Sequence, residues 1–208
     1  MLQVPWLLAA LACLFWRFPL FHVVPLNQTL AAREQAAFNA AEFVKHFWAE
    51  RLMKSLDRAA DATEVVSLLA ENPQAARQQF GRKVGLSEAC YYFLRGNGTV
   101  ISVSPRCIAL SLSNSRTNAD VIVPTGLLFG NAARDATGLL DASAFPNSQN
   151  FNDISSELNR LIETQVLPSL TSQAAVGRRV QFVGCAEVGD EDQNAKPLTL
   201  VPVWVKVE

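Results

Sequence analysis

Arginine, aspartate and asparagine placed close together on a glycine-punctuated loop can grip planar polar groups. The chain carries one such segment, Thr125-Gly126-Leu127-Leu128-Phe129-Gly130-Asn131-Ala132-Ala133-Arg134-Asp135. Gly126 and Gly130 let a backbone bend or approach another surface closely. Asn131, Arg134 and Asp135 put polar groups on a stretch otherwise apolar enough to be partly buried. An arginine fork meets carboxylates two bonds at a time. With Asn131, Asn147 and an aromatic such as Phe129 or Phe145, it would suit planar polar groups or sugar hydroxyls. The architectural reading is that Arg134 pairs with a carboxylate or caps carbonyls and that Asp135 caps a short helix. The candidate ligand- or partner-binding residues are therefore Gly126, Gly130, Asn131, Arg134, Asp135, Phe145 and Asn147.

Other chemistries lack their residues. His22 and His46 are the two histidines, one in the apolar leader and one in the first helical stretch, so no Ser–His–acid arrangement is expected. No GxSxG, Walker A or dinucleotide fingerprint occurs. Without a CxxC, and with so few histidines, a zinc site is not expected. The run Asp190-Glu191-Asp192 reads as a solvated hairpin turn, short of the oxygen ligands that calcium needs. The expectation is a protein that is not an enzyme, with no cofactor and no metal. Cys13 lies in the leader, and Cys90, Cys107 and Cys185 are an odd number, which excludes a complete disulfide framework. One bridge or buried free thiols remain as alternatives. A net charge of −1 argues against a nucleic-acid partner, which calls for a basic face.

Several elements must position that loop. From Val4 to Leu26 the one charged side chain is Arg17, a length that can span a bilayer core of about 30 Å. An uncleaved signal-anchor, a cleaved secretory signal ending at Ala10-Leu11-Ala12, and acylation at Cys13 are the competing readings. From about Thr29 to Ala60 the pattern is helical. Phe43 and Phe47, with Val44, Trp48, Leu52 and Leu56, form one apolar stripe. Asp61 with Glu64 resembles a capping box, Asn72-Pro73 starts a third helix, and Gly81 is its expected stop.

Beyond Ser87 the period switches to two. Tyr91 to Ser104 reads as a long strand bent or bulged at Gly96 and Gly98, with Asn97-Gly98 as turn chemistry. A second strand holds Ile108, Leu110 and Leu112 inside and Ala109, Ser111 and Ser113 outside. A third runs over Asp120–Pro124. A helix from about Asp153 closes at Pro168, and strands follow over Val180–Ala186 and Leu198–Val207. Three strands, a helix and two strands is the order of an OB-fold, a five-stranded Greek-key barrel with its helix between strands three and four. The same order is compatible with another small barrel or a curved open sheet. The predicted class is α+β: residues 1–26 as membrane anchor or signal, 27–86 as helices packed on the barrel, and 87–208 as the OB-fold-like barrel.

The chain also resembles a family, the predicted periplasmic lipoproteins grouped as domain of unknown function 2291. The resemblance runs from about Phe21 to Val207. It is carried by Phe38 through Trp48 with Leu56, by Phe80-Gly81-Arg82, and by Gly96-Asn97-Gly98-x-Val100. Further matches are the glycine loop ending at Arg134-Asp135, Phe145-x-Asn147, Gly184 and Pro202-Val203. It implies an envelope location, and its genes tend to lie beside those for sugar-type ABC transporters, which implies a transport-related role without an assigned activity. Many members carry an acylated cysteine just before an Ile/Val-Val-Pro segment. Here Phe21-His22-Val23-Val24-Pro25 stands there without one, so a lipid anchor at that point is excluded and a retained membrane helix gains weight. Members often have Gly-Pro and a threonine in the loop, where this chain has Gly126-Leu127 and Asn131.

Two functional classes follow. One is a non-enzymatic accessory factor of a sugar-type ABC transport system, anchored in the cytoplasmic membrane with residues 27–208 in the periplasm and contacting transporter components. The other is a binding domain for a small polar ligand, a carbohydrate, with its site near the 126–135 loop.

Overall fold

Asn39 starts the first helix among the described residues by accepting the Glu42 N–H on its side-chain oxygen at 3.1 Å. The computed structural model describes residues 38–85, 88–113, 118–145, 148–189 and 197–208. The expected anchor over 1–26 and the acidic turn at 190–192 lie outside the described residues. Helix α1 (Ala40–Phe47) runs into a π-helical turn over Trp48–Leu52. Val44, Phe47 and Leu52 are buried, while Glu42, Lys45, Glu50 and Lys54 are exposed, as the stripe predicts. The helix is thus shorter than expected within the described residues. After Leu52 the chain makes a 3-10 turn over Leu56–Arg58 and then the bridging strand β1 (Ala60–Asp61).

Asp61 then caps helix α2 (Ala62–Glu71), its Oδ1 accepting from the Thr63 and Glu64 N–H groups. Asn72 caps α3 (Pro73–Gln79) by accepting from Ala75 N–H. Gly81 follows, with β2 (Arg82–Lys83) after it. The helix stops at Gly81 as expected, just past its Phe80 cap and with the Gly81 N–H donating to the Arg77 carbonyl at 3.2 Å, but not through a left-handed glycine. The Gly81 φ is not positive, and a Cβ there would collide with Cys90 Sγ and the Arg77 carbonyl. It is glycine because two chain segments pass closely.

The barrel is built from β3 (Cys90–Val103), β4 (Cys107–Ser111), β5 (Val121–Pro124), β6 (Arg179–Val188) and β7 (Leu198–Val207). Neighbours run β3-β4-β5-β7-β6, and β6 pairs back with β3 to close the ring. The pair β5–β7 is parallel and the others are antiparallel. The first half of β3 also carries β1 and β2 as short side strands. Leu94, Ile108, Leu110, Phe182, Leu198 and Leu200 are fully buried, and each such side chain contributes about 1.5–3 kcal/mol of transfer free energy.

Between β5 and β6 lie helix α4 (Ala132–Asp135), a 3-10 turn over Ala142–Ala144, and helix α5 (Ser148–Leu161). A π turn over Ile162–Val166 then joins α5 to α6 (Leu167–Gln173). The long helix therefore sits between the third and fourth barrel strands, as the OB-fold order requires. Pro168 does not close it. Pro168 occupies the first turn of α6, where its missing N–H costs little, and the π turn before it absorbs the irregularity.

Three further strand expectations are corrected. Gly96-Asn97-Gly98 is neither bulge nor turn, for it pairs without a break to Phe182, Gln181 and Val180. The glycines are needed for proximity: a Cβ at 96 would lie 2.9 Å from the Phe182 ring, and one at 98 would lie 3.0 Å from Leu110 Cβ. The bulge comes later, where Val100 faces Leu110 and Ser102 faces Ala109, so Ile101 is the extra residue. Finally, Ala109 and Ser111 are buried rather than outside. Ser111 Oγ is satisfied by the Ser113 carbonyl and Asp120 Oδ2. Cys90, Cys107 and Cys185 are free thiols, Cys107 the more exposed.

Candidate functional site

The loop between β5 and α4 is tied down at successive points. Thr125 N–H donates to the Arg106 carbonyl at 3.0 Å and its hydroxyl to the Pro105 carbonyl at 3.1 Å. Leu128 N–H donates to Glu163 Oε1 at 2.6 Å, Asn159 Nδ2 to the Gly130 carbonyl at 3.1 Å, and Ser155 Oγ to Asn131 Oδ1 at 3.0 Å. Gly130 has φ +87°, a conformation that side-chain-bearing residues rarely adopt. Gly126 has no neighbour within 4 Å of a built Cβ. The loop is therefore held to α5 and its π turn while its tip points out. Leu127 is 74% and Phe129 82% exposed.

Ser155, Asn159 and Glu163 escaped the sequence reading, although their four-residue spacing on one helix face was available as a signal. With Asn131 and Asn152 they border a polar cleft of about 340 Å³ beside the loop, Phe129 at its rim.

Arg134 and Asp135 point inward. They are 6% and 4% exposed. Arg134 Nε and Nη2 donate to the two Asp135 carboxylate oxygens at 2.7 and 2.8 Å, and Nη1 donates to the Phe151 carbonyl at 3.2 Å. The guanidinium also lies 3.8 Å over the Phe151 ring. The pair docks α4 onto α5. Phe145 packs edge-on against Phe43 at 5.5 Å and against Phe151 at 5.3 Å, which extends the same cluster. Asn147 lies outside the described residues. Nearby, burial pushes the Tyr91 hydroxyl up to about 12, with the Glu187 and Asp135 carboxylates adding to the shift. Among the described residues no group of three or more His, Cys, Asp or Glu side chains is placed to hold a metal, and no helix is long and apolar enough to cross a membrane.

The closed β3-β4-β5-β7-β6 ring with its intervening helix makes this an OB-fold protein. Its structure is similar to the crystal structure of an OB-fold protein from Thermotoga maritima, at 25% identity over 83% of this chain and 99% of that one, with a TM-score of 0.75. No curated protein matches the chain. The chain belongs to the family described as predicted periplasmic lipoprotein (DUF2291), whose model matches residues 8–206. It is accordingly a cell-envelope protein of a lipoprotein family.

Proposed function

We propose that the protein is a non-enzymatic accessory factor of a sugar-type ABC transport system. The apolar segment 1–26 holds it at the cytoplasmic membrane, and the helices and barrel of residues 27–208 lie in the periplasm. The observation that carries this reading is the exposed pair Leu127 and Phe129 on a loop whose backbone is already fixed. Aromatic anchors dominate protein interfaces, and a pre-ordered loop avoids much of the entropy loss on docking. The loop's charged residues are engaged internally, so its outward face is the apolar tip.

A photo-crosslinking residue at position 129 of the full-length chain, in its own membranes, tests this. The expected adduct is with a subunit of the transport system, and Leu127→Ser should abolish it. Transport and growth on the transported sugar that are unchanged in a Leu127→Ser/Phe129→Ser variant would overturn the reading.

The polar cleft supports a second reading, a small polar ligand such as a carbohydrate held between the loop and α5. A ligand at about 100 times its dissociation constant would add about 2.7 kcal/mol to stability. Asn152→Ala should remove that gain, and because Asn152 Oδ1 also accepts a long 3.5 Å bond from Arg134 Nη1, the gain is read against the variant's own unliganded melting temperature.

A further inference from the structure

Trp204 stands half-buried on β7 with a cleft on each side. One, of about 380 Å³, is bordered by Asp61, Arg95, Asn97 and Gln181. The other, of about 180 Å³, is bordered by Trp48, Met53, Gln165 and Ser169. The register places Asn97 opposite Gln181 and Val183 opposite Trp204. Polar side chains and indole therefore follow one another across three adjacent strands, about 10 Å at ordinary strand spacing.

A second observation converges on the same place. Two π turns occur among the described residues. Trp48 begins the first, and Gln165 and Val166 lie at the end of the second. Both border the smaller cleft. A π turn inserts an extra residue at the expense of helix regularity and is found frequently at functional sites. Here two of them, far apart in sequence, set the wall facing Trp204.

The chemistry of the lining selects the ligand. An indole offers a broad apolar face and a polar tip. Asn97, Gln165 and Arg95 are planar groups that hydrogen-bond in pairs, Gln181 keeps its amide oxygen while its Nε2 donates to Glu208 Oε1 at 2.6 Å, and Arg95 is exposed with no ion pair among the described residues. Asp61 uses Oδ1 for its helix cap, and no bond among the described residues uses Oδ2. A pyranose ring matches this alternation, with C–H groups on its face and hydroxyls around its rim. A polyanion would meet Asp61 in a chain whose net charge is −1. We propose that Trp204 and the two flanking clefts form a binding track for a short linear oligosaccharide. The track uses no residue of the Leu127–Phe129 loop or its cleft, so the two ideas fail independently.

The test uses intrinsic fluorescence of the full-length chain carrying Trp6→Phe and Trp16→Phe, which leaves Trp48 and Trp204 as its indoles. Cellotetraose, maltotetraose and the N-acetylglucosamine tetramer are titrated, each against its monosaccharide. Saturable quenching by at least one tetrasaccharide, at least tenfold tighter than by its monosaccharide, is expected. Arg95→Ala, at an exposed position, and Gln181→Ala, at a half-buried one that also gives up its bond to Glu208, should each weaken it severalfold, and Trp204→Ala at least tenfold. Should Trp204→Ala unfold, the Arg95 and Gln181 variants decide alone. No fluorescence change with any tetrasaccharide up to about 10 mM, beyond the millimolar range of weak association, would overturn the proposal. So would quenching that Arg95→Ala and Gln181→Ala leave untouched.

Discussion

Arg134 is held by its own chain neighbour: Nε and Nη2 donate to the two carboxylate oxygens of Asp135 at 2.7 and 2.8 Å, with both residues almost fully buried. Here α4 is a single turn, and the Phe151 ring backs the guanidinium.

Removing one partner should be costly. Asp135→Ala strands a buried cation, and we expect a loss of about 3–5 kcal/mol, read as a lower urea midpoint at unchanged slope. Arg134→Met/Asp135→Leu together should recover much of it, since no buried charge is then left uncompensated. A loss below about 1 kcal/mol in Asp135→Ala, the size of an exposed ion pair, would contradict this account.

The two loop glycines should respond oppositely. Gly130→Ala meets only ordinary contact, with Glu187 Oε2 at 3.6 Å, but φ is +87°. It should lose about 1–2 kcal/mol from backbone strain. Gly126 has open space around it and no positive φ, so Gly126→Ala should be neutral or stabilising by about 0.4–1 kcal/mol through the unfolded chain. Equal effects in thermal melts would mean that the loop is not held as described.

Thiol reactivity should separate the barrel cysteines. Burial pushes the Cys185 thiol up, so it stays protonated and inert. Cys90 is also buried, while Cys107 is half-exposed at the β3–β4 turn. In the native state an aromatic disulfide reagent should label Cys107 among these three, with Cys90 and Cys185 reacting on unfolding. Peptide mapping that finds Cys185 labelled in native protein would refute the assignment.

Alkaline stability should depend on Tyr91. Its folded pKa is raised from 10.0 to about 12. Below the unfolded value both states keep the proton and stability is flat. Between the two values the unfolded chain loses the proton first, so stability falls as pH rises, by at most about 1.4 kcal/mol per pH unit for one group. Tyr92 is raised as well, chiefly by burial, and contributes in the same direction. Urea midpoints measured from pH 9 to 11 should drop less steeply in Tyr91→Phe; parallel slopes would exclude its role.

Much of the barrel was legible because a two-residue period survives in a strand whatever packs on it. β7 begins and ends at the expected Leu198 and Val207. The caps at Asp61 and Asn72 were equally local. What stayed hidden depends on residues far away in sequence. Gly96 and Gly98 look like turn glycines until Phe182 and Leu110 lie against them. Ala109 looks like an outward-facing residue until Ser102 of β3 lies opposite it and the barrel buries it. The same holds in the loop: the polar residues around Arg134 were visible, but its inward direction depends on where α5 places Phe151.

The ring closes unevenly. β3 and β6 run side by side from Cys90–Val188 to Thr99–Arg179, whereas β5 meets β7 through Val121–Leu198 and Ile122–Thr199. That parallel seam joins segments separated by the whole helical insertion, so its loop entropy must be met before it forms. Amide exchange should reveal it as the place where the closed wall first parts, baring two strand edges. Because β7 stays paired with β6 from Val180–Val207 to Ala186–Leu200, the parted wall would remain folded and offer the bared edges of β5 and β7 to a second copy opened at the same seam.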